Sequence, residues 1–173
     1  VTMSIGWSAV KEKISTLDKN LTFDKICMQI ASSFLSAVGA SAGPLYATAL
    51  MRGGAKLKDL TVMNSSQLSE FFDAAANGIQ DRGKANLGDK TMLDVWLPTA
   101  KKIKEISSST DDIIEILKQG STTANKAMLL TKDMLSKKGR SSKLGERSRG
   151  HIDPGAASSA LIFKTFYEAT QNI

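Results

Sequence analysis

Apolar positions recur every three or four residues along nearly the whole chain, which is the period of one face of an α-helix. Met3, Trp7, Val10, Ile14 and Leu17 draw one seam, and Phe23, Ile26, Cys27, Ile30, Ala31, Phe34, Leu35 and Val38 a longer one. Leu68, Phe71, Phe72, Ala75 and Ile79 form a third, and Met92, Val95, Trp96, Thr99, Ala100 and Ile103 a fourth. Ala156, Ser159, Ala160, Phe163, Phe166 and Tyr167 complete the set. The stretch from Asp111 to Lys138 is helical in composition but weaker in pattern, and Gly120 is expected to interrupt it. No alternating pattern of useful length appears, so the predicted class is all-α, with about seven helices. Short connections make consecutive helices antiparallel, an up-and-down bundle or barrel.

The polar positions punctuate this pattern. Thr22 and Ser109 are expected N-caps, and Asp111 and Asp112 suit the positive end of the helix after them. Asp153-Pro154 reads as an N-cap followed by a first-turn proline, and Pro44 stands similarly after a glycine-containing break.

Composition narrows the picture. The 173 residues fit a single domain over 1–173, long enough to bury a core, and 42% hydrophobic residues is ordinary for a globular protein. No uninterrupted apolar run is long enough to span a membrane, and no charged-then-apolar leader opens the chain. Cys27 is the only cysteine, which excludes an internal disulfide or a cysteine metal cluster and favours a reducing, cytoplasmic setting. The net charge of +6 is concentrated between Lys137 and Arg149, where six cations face Glu146 alone. Such a loop suits an anionic ligand, an acidic partner surface or plain solvation. A nucleic-acid partner is not expected, with aromatics at 6% and no binding motif.

Three interhelical loops are candidates for chemistry. Val38-Gly39-Ala40-Ser41-Ala42-Gly43-Pro44 has small residues before a helix start, which fits either a phosphate on free N–H groups or a tight turn. Arg82 to Met92 holds two glycines and alternating charges; Met92 fits either a contact with a flat ring or ordinary core. Gly139 to Gly155 is long, polar and glycine-rich, the mark of a functional or disordered segment. His151, the only histidine, reads as a loop hydrogen-bonding group rather than a base. No serine–histidine–carboxylate set, GxxxxGK[ST] loop or kinase HRD and DFG pair is present, so no catalytic residue is assigned. The spacing of the loops predicts that they converge at one rim of the bundle.

Arg82-Gly83-Lys84-Ala85 with Gly88-Asp89-Lys90-Thr91-Met92-Leu93-Asp94, then Gly139-Arg140-Ser141, Gly145-Glu146-Arg147-Ser148 and Gly150-His151-Ile152-Asp153-Pro154-Gly155, occur in one order. Together they resemble the L subunits of dihydroxyacetone kinases of the phosphotransferase-system-dependent type. The resemblance implies an antiparallel barrel of eight helices with ADP or ATP at one end, one helix lying upstream of Val1. It also implies a magnesium-binding Gly-Asp-x-Asp-x-Gly loop upstream of Val1, so the chain is expected to lack its N-terminal helix and metal loop.

Nucleotide contacts carry over to Thr2, where the family has asparagine, and to the backbone of Ser41 and Ala42, where the family reads Ala-Ser. Gly83 and Met92 fall on the adenine side, Arg140 on a nucleotide contact, and Asp153, Pro154 and Gly155 on the nucleotide-binding turn. The implied reaction moves a phosphoryl group to dihydroxyacetone held on a separate K subunit, and a phosphohistidine-bearing M subunit recharges the ADP. Two alternatives are the C-terminal nucleotide domain of an ATP-dependent dihydroxyacetone kinase and a non-catalytic regulatory homologue without the metal site.

Overall fold

A computed structural model describes residues 2–171. Among them are seven α-helices, two 3₁₀ segments and no strand, as the helical period predicts. The chain divides into two compact units, up to Gly83 and from Lys84 onward. Val1, the reference point for the upstream helix and metal loop, lies outside the described residues.

The first unit holds α1 (Thr2–Ser15), α2 (Phe23–Ala37), α3 (Ala42–Ala55) and α4 (Ser65–Gly83), each packed on the next. Small residues make the approach close. Gly6, early in α1, faces Phe34 and Val38 at the far end of α2, so the two helices run antiparallel. Gly54, late in α3, lies against Cys27 near the start of α2, and a Cβ on Gly53 would come within 2.7 Å of the Phe71 ring on α4. Trp7, Phe34 and Tyr46 interlock, with ring centroids 5.1 Å apart for Trp7–Phe34 and 5.8 Å for Phe34–Tyr46. Burying a ring of this size contributes about 1.5–3 kcal/mol.

The α1 seam differs from its prediction: Gly6 and Val10 are buried while Ile14 is exposed. Side-chain periodicity cannot register a packing line that runs through a glycine. Burial, reinforced by the charge of Asp24, pushes the Cys27 thiol up to about 11, which leaves it an unreactive core residue.

The second unit holds α5 (Leu93–Ser107), α6 (Ile113–Leu130), the 3₁₀ segments Thr131–Asp133 and Arg140–Ser148, and α7 (Pro154–Thr170). Helix α6 packs between α5 and α7 in sequence order. It runs straight through Gly120, contrary to expectation, because that glycine admits Ile103 of α5; an added Cβ would stand 3.1 Å from it.

The cap of α6 is Asp112, which accepts hydrogen bonds from the N–H groups of Ile114 (2.9 Å) and Glu115 (3.2 Å). Ser109 instead closes α5, its hydroxyl donating to the Ile106 carbonyl at 2.9 Å. Thr22 does occupy the cap position of α2, but its side chain makes no cap bond. Asp153 caps α7 with Pro154 behind it, as predicted.

Candidate functional site

In the first unit, antiparallel order brings the start of α1, the end of α2, the start of α3 and the end of α4 to one end. Four expected nucleotide positions lie there. Thr2 and Ser41 are exposed, Ala42 and Gly83 half-buried. Gly83 comes close to α3: a Cβ there would meet Leu45 at 3.1 Å. Ser41 precedes α3 without a side-chain cap bond, but the Gly43 N–H is taken by the Ala40 carbonyl (2.9 Å), the Leu45 N–H reaches the Ser41 carbonyl (3.4 Å), and Pro44 has no N–H to give. Gly43 is obligatory in this turn, since a Cβ would overlap the Val38 carbonyl oxygen.

In the second unit the starts of α5 and α7 lie side by side. A Cβ on Gly155 would stand 3.3 Å from the Met92 nitrogen, and one turn on the Trp96 indole N–H donates to Ser159 Oγ at 3.0 Å. Met92 is buried, Gly155 half-buried, Pro154 exposed. Helix α6 ends at the same place, where the Asp153 N–H donates to Thr131 Oγ1 at 3.1 Å. Asp153 Oδ2 accepts from the Ala156 N–H at 2.8 Å. Burial raises the Asp153 carboxyl above the ordinary carboxylate value; the charge of Asp94 pushes the same way, against the Ala156 and Gly155 N–H groups and Lys90.

The second and third candidate loops meet here through groups that sequence reasoning did not single out. Asp94 Oδ1 accepts from the Gly88 N–H (2.6 Å) and Oδ2 from the Thr91 N–H (2.7 Å), while Asp89 Oδ2 accepts from the Asn86 N–H (2.8 Å). The buried Lys90 ammonium donates to the carbonyls of Met134 (3.2 Å) and Ser148. The Lys137 N–H donates to the Asp89 carbonyl at 3.0 Å. The sequence signals for this set were the density of charge inside a glycine-flanked loop and its place in the Gly88–Asp94 motif, neither of which gave these side chains a role.

The third loop is not structureless. Residues Arg140–Ser148 form 3₁₀ turns broken at Gly145, whose φ of 55° favours glycine. Arg140 is exposed at the start of the turns. Arg149 is a brace: its guanidinium bonds Glu146 Oε2 (2.8 Å) and the Asp133 carbonyl (2.5 Å). His151 is exposed. Among the described residues no three His, Cys, Asp or Glu side chains cluster as a metal site.

The DAK2 domain model matches residues 1–168. The chain belongs to the DAK2 domain family. It is 38% identical, over 90% of its length and 74% of the relative's, to the ADP-binding subunit DhaL of a PEP-dependent dihydroxyacetone kinase from Escherichia coli. A DhaL subunit from Listeria innocua is 37% identical, over 94% of this chain and 76% of its own. The fold likeness extends to the dihydroxyacetone kinase of C. freundii, with a TM-score of 0.64 at 20% identity; the match covers 95% of this chain but 28% of that one. A second crystal structure of that kinase, in complex with AMP-PNP and Mg2+, matches with a TM-score of 0.63 at 19% identity, over 97% of this chain and 28% of that one. In this DAK2 chain Thr2, Ser41, Ala42 and Gly83 thus stand in the first unit, and Met92, Arg140, Asp153, Pro154 and Gly155 in the second. No described helix is long and apolar enough to cross a membrane.

Proposed function

We propose that this chain is the ADP/ATP-binding L subunit of a cytoplasmic dihydroxyacetone kinase. It presents a nucleotide phosphoryl group to dihydroxyacetone held on a K subunit, and a phosphohistidine-bearing M subunit recharges the ADP. The observation that carries this reading is the contact of Met92 with Gly155. Two loops more than sixty residues apart are brought together there, Met92 N and Cβ lying 3.3 and 3.4 Å from a Cβ built on Gly155, and the neighbouring thioether is of a kind that suits a flat base. Arg140, with its planar fork of donors, serves phosphate or ribose oxygens.

None of the named residues is a nucleophile. The chain's part in phosphoryl transfer is to hold the nucleotide and spread its negative charge over fixed donors. Magnesium would supply further charge neutralisation to a bound diphosphate, but the described residues offer it no ligand cluster and no step is assigned to it. The exposed cations Lys143 and Arg147 suit an acidic docking surface on a partner subunit.

Calorimetric titration of the chain with ADP tests the reading, followed by addition of K- and M-type subunits, dihydroxyacetone and a phosphohistidine donor. Stoichiometric ADP binding and dihydroxyacetone phosphate formation dependent on this chain are expected. A folded chain that binds no ADP overturns it. A second reading, a nucleotide domain of an ATP-dependent kinase, is favoured by 35% identity to a probable dihydroxyacetone kinase of Dictyostelium discoideum, over 91% of this chain and 26% of that protein. Rapid exchange of bound ADP for ATP would select it; tight retention of ADP selects the first.

A further inference from the structure

Lys90 is 3% exposed and sits at a backbone φ of 60°, an uncommon conformation for a side chain of its size. A buried ammonium is costly unless acceptors take up its protons. Here they are the carbonyls of Met134 and Ser148, which stand at the two ends of the segment carrying Arg140. The same neck is closed by the Ser136 N–H on Ser148 Oγ (3.0 Å), the Lys137 N–H on the Asp89 carbonyl (3.0 Å) and the Gly150 N–H on the Lys132 carbonyl (2.8 Å). Between those ends the 3₁₀ turns are mostly exposed and kinked at Gly145, so little apolar burial holds them in place.

We propose that Lys90 is a positioning residue for nucleotide retention, its ammonium clamping both ends of the Met134–Ser148 segment and thereby fixing where Arg140 is presented. The proposal rests on the nucleotide reading of Arg140 above. A lysine suits the task because one ammonium can serve two carbonyls from different directions. A carboxylate–cation pair would fix only one end.

The test compares wild type, Lys90→Met, Arg140→Ala and the double variant by ADP titration and by tryptic cleavage within 140–147 in the absence of ADP. Lys90→Met is expected to speed cleavage about tenfold or more, by opening the segment locally. It is expected to weaken ADP binding by about tenfold, with the double variant no weaker than the worse single one, because both changes remove the same contact. Lys90→Arg, which keeps donors, recovers part of both. Phe163→Leu, a core change remote from the neck, supplies the contrast: its loss and that of Arg140→Ala multiply.

Multiplied losses for Lys90→Met and Arg140→Ala overturn the clamp while the nucleotide reading stands. Unchanged cleavage, or faster cleavage with normal ADP affinity, also overturns it. An unaltered ADP affinity in Arg140→Ala alone sinks the nucleotide reading of that residue and the proposal with it. Should Lys90→Met fail to fold, Ser148→Ala, which removes the acceptor of the Ser136 N–H at the same neck, takes its place in both measurements.

Discussion

The two units solve the same problem, holding helix ends in place, with opposite chemistry. In the first, glycines let helices approach until rings fill the gaps, as Gly6 does for Phe34 and Gly53 for Phe71. In the second, the ends of α5, α6 and α7 are joined by buried charged and hydroxyl groups: Asp89, Lys90, Asp94, Thr131, Ser148 and Asp153 are all nearly inaccessible. Dispersion tolerates small shifts in direction, whereas hydrogen bonds fix both distance and angle. The polar end is therefore the more exact scaffold for a ligand, and the more fragile under a single substitution that strands a partner.

The largest expected effect breaks the apolar side of this comparison. Phe34→Ala should cost about 3–5 kcal/mol in urea unfolding, and ADP affinity of the remaining folded protein should hardly change. A loss below about 1 kcal/mol would mean that the aromatic seam is not the main support of its unit.

Asp153→Ala should cost roughly 1–2 kcal/mol as a lost cap and weaken ADP retention, whereas Asp153→Asn keeps a cap acceptor and should stay close to wild type in stability. The pH dependence sharpens the contrast. Because the folded carboxyl holds its proton more tightly than the unfolded one, its contribution to stability is fully present below the ordinary carboxylate value. That contribution falls as pH rises through the raised value. Asp153→Asn should remove this decline from the urea midpoint measured between about pH 4 and neutrality; an identical slope in the variant would refute the assignment.

Gly155→Ala places a methyl 2.8 Å from Asp153 Oδ2 and 3.3 Å from the Met92 nitrogen. About 1 kcal/mol of stability should be lost as the α5 and α7 starts part, with ADP affinity falling by a larger factor than stability alone explains. Arg140→Ala should leave unfolding within about 0.5 kcal/mol of wild type while lowering ADP affinity, which calorimetry reads directly. The smallest effect is expected from Lys143→Ala with Arg147→Ala: ADP affinity unchanged, partner association slower and less sensitive to salt in stopped-flow mixing. Arg149 is left out of that pair because its guanidinium is engaged with Glu146 and Asp133.

Helical class, the α4 and α5 faces, the α7 face as far as Phe163 and the Asp153-Pro154 start were legible in the sequence, since each depends on side-chain spacing or on a local cap; Phe166, expected in the α7 stripe, is exposed. The α6 start was misplaced because serine, threonine and aspartate all cap, and three lie in a row before Asp112; only geometry picks the one whose carboxylate reaches Ile114 and Glu115. Gly120 was misread because a helix-breaking residue and a close-packing residue are the same letter. Within the second unit, the meeting of the two glycine-rich loops was foreseen, but the means were not. Lys90 binds main-chain carbonyls 44 and 58 residues away, and every residue has a carbonyl, so no pattern of side chains announces such a partner.

The distribution of the two tryptophans gives each unit its own optical reporter. Trp7 sits among Phe34 and Tyr46, while Trp96 is buried with its indole N–H on Ser159 and its ring 4.8 Å from Phe163. Trp7→Phe leaves a chain whose emission follows the second unit, and Trp96→Phe one whose emission follows the first. Coincident denaturation midpoints would mark the units as one cooperative system. Trp96, one helical turn beyond Met92, should also change its emission when nucleotide arrives, so that ligand loading can be followed in real time without any attached dye.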